Sequence, residues 1–392
     1  MQIELARQTV VDAGLKLVES GLIARTWGNV SSRVDKDTFV ITPSGRPYET
    51  LTSEEIVLCR VEDCSYEGEI KPSSEKRLHA LLYQMYPDVN FVIHTHQKYA
   101  SILSASGLSH VPIKSYPLLG DEVRIAEYGL PGTAKLRKGV EQAARSSSSH
   151  AIIMAHHGAV CFGRDYEETF ACAKELEEAC FRYITKEYCN RSKDVTFEEE
   201  KLYQYYVTEN TQQKLALPKK PFVTSKSYRT QNGFLYEGMD TKEYRLSDSM
   251  PQDAQLHRRI YECRPDIHFI DRDCDLALVA LSLTGRKLKP LLDDFAQLVG
   301  TDARCARSLE ANAVEAALRG RYGVFLPGEG AICCASSESD LQAVHIVMEK
   351  NAKAQIGAWL FGGGQELSRI DCILMNLVYK KSYSKKAEKD RT

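Results

Sequence analysis

Two histidines one residue apart, His94-Thr95-His96, close the short apolar run Phe91-Val92-Ile93. Side chains alternate across a β-strand, so residues two apart share a face and both imidazoles can reach one metal ion. A second pair, His156-His157, closes the run Ala151-Ile152-Ile153-Met154 and precedes Gly158, whose missing side chain lets backbone pack close to a site. Strand neighbours face opposite ways, so one of this pair can join the other two; we assign that role to His157 and a structural one to His156. A third histidine and a carboxylate beside the first two make a shell that zinc accepts, and an exchangeable position there can take substrate oxygens. Each motif alone also has a plainer reading, as histidines held by hydrogen bonds.

The run Lys71-Pro72-Ser73-Ser74-Glu75 opens a helical stretch. Two hydroxyls and free N–H groups there suit a phosphate, with Glu75 facing inward; a simple serine cap is the alternative. Gly28-Asn29 and Thr42-Pro43-Ser44-Gly45 read first as turns, yet they supply an amide, hydroxyls and backbone N–H groups, the parts of a phosphate cradle.

Elements must carry these groups to one place. Leu5, Val11, Leu15 and Val18 recur near a helical period over residues 3–20, and Gly21 follows as a stop. Gly28-Asn29-Val30-Ser31 reads as a turn into alternating runs such as Thr38-Phe39-Val40-Ile41-Thr42. Helical character returns over residues 75–86 and again from Tyr166 to Tyr183. Interleaved strands and helices predict an α/β class, or α+β if the sheet is mostly antiparallel.

A chain of 392 residues suits two domains, and Leu217-Pro218-Lys219-Lys220-Pro221 has a linker's composition, dividing 1–217 from 222–392. A hydrophobic share of 43% can build real cores, and a net charge of -2 gives no whole-chain field to gather nucleic acid or an anionic membrane. Twelve cysteines without a CxxC pair, and an N-terminus that opens directly into a helical pattern, predict reduced thiols in the cytoplasm. No apolar run approaches bilayer-spanning length.

The second half repeats the first. Leu78-His79, Tyr83, Pro87-Asp88 and Phe91 are matched at one constant offset by Leu256-His257, Tyr261, Pro265-Asp266 and Phe269. Gly158-Ala159-Val160-Cys161 is echoed by Gly330-Ala331-Ile332-Cys333 at a slightly different offset, as a short deletion between the blocks would produce.

Taken in order, Gly28-Asn29-Val30-Ser31, Ile41-Thr42-Pro43-Ser44-Gly45, Pro72-Ser73-Ser74-Glu75, His94-Thr95-His96 and His156-His157-Gly158 resemble the class II aldolase family of fuculose-phosphate aldolase, ribulose-phosphate 4-epimerase and adducin. The resemblance covers about residues 3 to 190. It implies a three-layer α/β/α domain with a largely antiparallel sheet, here in tandem. It also implies zinc, or another divalent transition metal, on His94, His96 and His157. Glu75 would be a fourth ligand that leaves when substrate arrives and then acts as general base or acid. Phosphate would sit among Asn29, Thr42, Ser44, Gly45, Ser73 and Ser74. A tyrosine acts as proton donor from a neighbouring subunit in the aldolases, and Tyr116 lies at about the right place, although its surroundings depart from the pattern. Zinc on a carbonyl and its neighbouring hydroxyl stabilises an enediolate as a Lewis acid, and Glu75 displaced into a drier pocket would gain a raised pKa.

The activity so implied is that of an aldehyde-lyase on a small ketose or deoxyketose phosphate. The epimerase branch typically carries Asp where Glu75 stands, which favours the aldolases, while dehydratases of the family also keep Glu. A non-enzymatic, adducin-like interaction protein is the reading from another class. Retention of every ligand in the first half speaks against it, and the basic tail Lys380-Lys381-Ser382-Tyr383-Ser384-Lys385-Lys386 is its one supporting feature. In the second half, His94 falls on Arg272, His96 on Cys274, His157 on Glu329 and Glu75 on Asp253, so the metal site is expected to be lost there. Asp271, Asp273, Cys274, Asp275 and Glu329 offer an alternative, harder site. Family members form four-fold rings, and a homodimer of duplicated chains could build the same ring with intact and degenerate domains alternating.

Overall fold

In the computed structural model the described residues are 2–23, 27–211, 215–218, 224–238 and 241–389, with side chains described to 380. Lys219, Lys220 and Pro221 of the expected linker, and the side chains of the basic tail from Lys381 on, lie outside them. Contacts divide the chain into two compact units, Met1–Glu187 with Phe361–Gly363, and Tyr188–Leu360 with Gly364–Thr392. The division falls inside a helix, upstream of Leu217, because the segment after Tyr188 packs into the second unit: Gln355 donates to the Tyr206 hydroxyl at 3.4 Å, and Arg286 to Asn210 Oδ1 at 2.7 Å.

In the first unit, helix α1 (Ile3–Glu19) buries Ala6, Val10, Val11, Ala13 and Leu17. That inward face differs from the expected Leu5, Leu15 and Val18, and Leu5 is 59% exposed. Gly14 sets the helix orientation: it lies on the Tyr48 ring, where a Cβ would stand 2.3 Å from Cδ1. Strands β1 (Asn29–Arg33), β2 (Thr38–Ile41) and β3 (Val57–Arg60) form a meander, and helix α2 (Lys76–Met85) leads to β4 (Phe91–Thr95). Then come α3 (Lys98–Ser104), β5 (His110–Pro112), β6 (Glu122–Ala126) and α4 (Ala134–Arg145). The hairpin β7 (Ala151–Met154) and β8 (Gly158–Gly163) precedes the long helix α5 (Tyr166–Ser192).

These strands form one sheet in the order β3-β2-β1-β4-β8-β7-β6-β5, antiparallel throughout except for β6 with β7. On one face, Leu78, Leu82 and Tyr83 of α2 and Leu136 and Val140 of α4 pack against Val92, Ile152, Val160 and Phe162. On the other, α5 lies close enough for Thr169 to reach Phe91 O at 3.4 Å and for Gln97 to donate to Ala173 O at 3.1 Å. The result is three layers, with β4 buried along its whole length between β1 and β8. Two local readings change. Asn29, Val30 and Ser31 are strand rather than turn, because the chain reverses at Gly28 (φ +86), where a Cβ would meet His94 O at 2.5 Å. His156 and His157 lie in the tight turn between β7 and β8, and the left-handed φ of His156, 63°, aims the two side chains apart.

The second unit begins with α6 (Glu199–Thr211), β9 (Lys226–Arg229), β10 (Gly233–Glu237), β11 (Thr241–Arg245), α7 (Gln252–Cys263) and β12 (Phe269–Asp273). It continues through α8 (Leu276–Leu283), α9 (Asp293–Leu298), β13 (Arg304–Cys305), α10 (Ala311–Leu318), β14 (Gly323–Leu326) and β15 (Gly330–Ala335). Helices α11 (Glu338–Trp359) and α12 (Arg369–Lys389) complete it. The sheet order β11-β10-β9-β12-β15-β14-β13 repeats the first, including one parallel pair, without a described counterpart of β5. Duplication extends to single bonds. Arg33 caps the carbonyls of Tyr83, Tyr86 and Val89, and Arg229 caps those of Tyr261, Arg264 and Ile267. The expected α/β domain with a largely antiparallel sheet is present twice. None of the described helices is long and apolar enough to cross a membrane.

Candidate metal centre

The end of β4 and the β7–β8 turn meet over the α2 face of the first sheet. His94 follows Val92 on that face by strand alternation, and its ring is wholly buried. Its Nδ1 lies 2.9 Å from Ala159 O. A carbonyl only accepts, so the proton sits on Nδ1 and the lone pair of Nε2 faces inward. There Nε2 is 3.0 Å from His96 Nε2 and 3.3 Å from Glu75 Oε2. The His157 ring stacks on His94, with centroids 4.7 Å apart and planes at 7°. Close approach of the two strands makes this possible: a Cβ on Gly158 would stand 2.2 Å from Thr95 O. His156, its backbone N–H bonded to Ser104 O, instead sets its ring edge-on to Tyr128.

Glu75, at the start of α2, is buried between two of the imidazoles, with Oε1 3.0 Å from His157 Nε2. Asn29 Nδ2 donates to its Oε2 at 2.9 Å. Burial alone would raise this carboxyl; the His94 and His157 imidazoles and the bonds from His157 and Asn29 outweigh it and hold the group well below the usual range. Burial pushes His94 well below an ordinary imidazole, as do His157 and His96, while Glu75 opposes the shift. So the resting site pairs an ionised Glu75 carboxylate with a neutral His94 imidazole.

Sequence reading missed the shell behind Asn29. His79 lies against Asn29 Oδ1 through Nε2 and against Ser31 Oγ through Nδ1, and Ser31 also meets the Tyr83 hydroxyl at 2.7 Å. The signal was present: His79 stands four residues after Glu75, on the same helical face. Burial lowers His79 to about 4.

The residues expected to bind phosphate come from two loops brought together by the Pro43–Pro72 bridge and by Ser73 N–H donating to Thr42 O at 3.0 Å. Asn29, Thr42 and Ser73 are buried, whereas Ser44, Gly45 and Ser74 are exposed. Gly45 has φ +69 with nothing within 4 Å of its Cβ direction, so open space lies beside it. Ser73 Oγ accepts from Glu75 N–H at 3.2 Å, a local turn bond. Tyr116 lies elsewhere, against α5, with the Arg182 guanidinium 5.7 Å from its ring centre; burial and Glu178 raise its pKa.

His94, His96 and His157 present ligand atoms all within 4.8 Å of one another. Imidazole nitrogens converging with a carboxylate oxygen fit a divalent transition metal. The second unit does not repeat this arrangement. Arg272, at the His94 position, forms an ion pair with Glu329, at the His157 position, and Asp253 is exposed where Glu75 is buried. A guanidinium cannot coordinate a metal; here its positive charge meets the acid directly. The alternative acidic set is also separated, because Glu329 is held by Arg272 and Asp275 by Lys353 at 2.9 Å.

The profile described as Class II Aldolase and Adducin N-terminal domain matches residues 8–184 and again 220–356. A 5-deoxy-D-ribulose 1-phosphate aldolase of Bacillus thuringiensis serovar kurstaki is 31% identical over 180 residues, spanning 45% of this chain and 83% of that protein. The L-fuculose phosphate aldolase of Escherichia coli is 35% identical over 185 residues, 46% of this chain and 83% of that protein. An L-ribulose-5-phosphate 4-epimerase of Salmonella paratyphi B is 30% identical over 185 residues, 44% of this chain and 81% of that protein.

Proposed function

Because this chain belongs to the class II aldolase and adducin family, we propose that its first unit is a zinc-dependent aldolase that cleaves or forms a carbon–carbon bond in a small ketose phosphate. One observation carries the reading: three imidazoles converge with the buried, ionised Glu75, which touches two of them. His94, His96 and His157 would hold the ion, with Glu75 as a further ligand before substrate binds. When bound, the ion supplies Lewis-acid polarisation of the substrate's carbonyl and hydroxyl oxygens.

The chain's own groups do the rest. The loops at Thr42, Ser44, Gly45, Ser73 and Ser74, with Asn29, hold the phosphate through hydroxyls and N–H groups and so place the reacting carbons beside Glu75. In the cleavage direction the carbon–carbon bond breaks with its electron pair left on the ketone fragment, and that fragment takes up a proton at carbon. Glu75 moves this proton, in either direction. Tyr116 as the donor to the aldehyde oxygen is the weaker assignment, since its contacts in the first unit are with α5. In this reading the chain works in the cytoplasm, where its twelve cysteines stay reduced.

The test is cleavage of L-fuculose 1-phosphate and 5-deoxyribulose 1-phosphate, read as release of the three-carbon ketone phosphate. We expect cleavage of at least one, a fall of about 10²–10⁴-fold in Glu75→Gln with metal retained, and loss of metal and activity together in His96→Ala. Metal-loaded protein that cleaves neither, but interconverts ribulose 5-phosphate epimers, would establish the epimerase reading, which the Salmonella relative favours.

A further inference from the structure

The opposite face of the second sheet carries a different cluster. Asp271 and Asp273 lie two apart on β12 and therefore share a face. Cys333 stands directly opposite Asp271 on β15, so its side chain shares that face too. Helix α11 covers them and brings His345 down, its Nδ1 2.7 Å from Asp273 Oδ2 and its Nε2 3.4 Å from Asp271 Oδ2. The ligand atoms of Asp273, Cys333 and His345 all lie within 4.8 Å of one another. Asp273 and Cys333 are buried, and His345 is mostly so.

The first unit shows how unusual this is. By strand register, Asp271, Asp273 and Cys333 replace Ile93, Thr95 and Cys161, and by the same offset on the covering helix His345 replaces Ala173. All four of those residues are fully buried, and the only ionisable one among them is the cysteine. The second copy has thus exchanged three such groups for two carboxylates and an imidazole while keeping the thiol. Burying the Asp273 carboxylate in place of Thr95 costs free energy unless a cation neutralises it, while Asp271 stays partly exposed. The nearby lysines are engaged elsewhere: Lys353 with Asp275 and Glu349, at 2.9 and 3.0 Å, and Lys226 with Glu338, at 2.9 Å. Among the described residues His345 is the side chain paired with both Asp271 and Asp273, while Lys226, opposite Asp271 in the register, adds an attraction to Asp271 alone.

We propose that Asp273, Cys333 and His345 form a zinc site in the second unit, with Asp271 outside the ligand set, against the far nitrogen of the His345 ring. One imidazole, one thiolate and one carboxylate supply three of the four positions of a tetrahedral shell. Binding releases the thiol proton of Cys333 and the proton His345 shares with Asp273, and the two positive charges of the ion take their place. The site lies on the opposite face from Arg272 and Glu329, so it is not the remnant of the first unit's centre. It does not depend on the aldolase reading.

Sulfur separates the two centres experimentally, because the imidazole cluster of the first unit contains none. Metal-free full-length chain is titrated with cobalt(II), and the near-ultraviolet thiolate-to-cobalt charge-transfer band is recorded. We expect the band in wild type with two cobalt ions per chain, and its survival in His96→Ala with one. Cys333→Ser and His345→Gln should each lose it, together with one ion. Saturated wild type without the band, or a band that survives Cys333→Ser, would overturn the proposal. The wild-type titration decides even if either variant fails to fold.

Discussion

His79 and His257 occupy equivalent places in the two copies, each buried on the first helix after the meander and each against a serine that also meets a tyrosine hydroxyl. His257 meets Ser225 and Ser227, and Ser227 meets Tyr261, just as Ser31 links His79 to Tyr83. Burial, helped by Arg272, pushes His257 down to about 3. An imidazole that stays neutral when folded but takes a proton near pH 6.5 when unfolded favours the unfolded chain as pH falls. Its stability contribution is therefore complete above about pH 6.5 and is lost as pH drops toward 3. Between pH 7 and pH 5 wild type should lose on the order of 2 kcal/mol that His257→Gln does not lose. Urea unfolding at both pH values checks this; parallel losses in the two proteins would contradict it. The metal-site candidates were legible because histidine type and two-residue spacing carry their own chemistry. Behind them, the bonds of Asn29 to Glu75 and His79, and of His79 to Ser31, were not, because what joins these residues is strand pairing and a helix face.

At the scale of elements, the candidate centre depends on how closely β4 and β8 approach. Gly28 packs against the backbone of His94 and Gly158 against that of Thr95, so two glycines clamp the end of one strand. The missing side chain of Gly158 announced close backbone packing beside a site, but not that the partner is the carbonyl of Thr95. A methyl at Gly158 would stand 2.2 Å from Thr95 O and 3.2 Å from His94 Cε1. Backbone cannot yield as a side-chain tip can, so the strands must separate just where His94 and His157 face one another. Gly158→Ala should cost about 1–3 kcal/mol of stability. It should also weaken metal binding by roughly 10–100-fold, as lost support around a ligand does, while far-ultraviolet dichroism stays the same. Chelator competition measures the affinity, and an unchanged value would show that the clamp does not position the imidazoles. The α1 face was misjudged for a related reason: Gly14 fits the Tyr48 ring, a contact 34 residues away that helical periodicity does not contain.

For the whole chain, the notable fact is what the second copy kept. It lost every counterpart of the imidazole triad, yet it retains the sheet order, the register and the buried Arg229, Ser227, His257 and Tyr261 bonds. The repeated blocks made this duplication legible, because the residues that matched, such as Leu256-His257 and Tyr261, are the ones that pack inside. Chemistry drifted while the scaffold held, which is the pattern expected of a copy maintained for its shape. If that shape is needed to build a ring of alternating intact and degenerate domains, the working particle contains at least two chains. Light scattering on active protein should then give at least twice the 44.1 kDa of one chain. Dilution should lower cleavage activity in step with the loss of that mass, because a site shared across chains fails when they part. A 44.1 kDa particle with undiminished activity would instead make the first unit self-sufficient and leave the second with the stabilising role its own metal site implies.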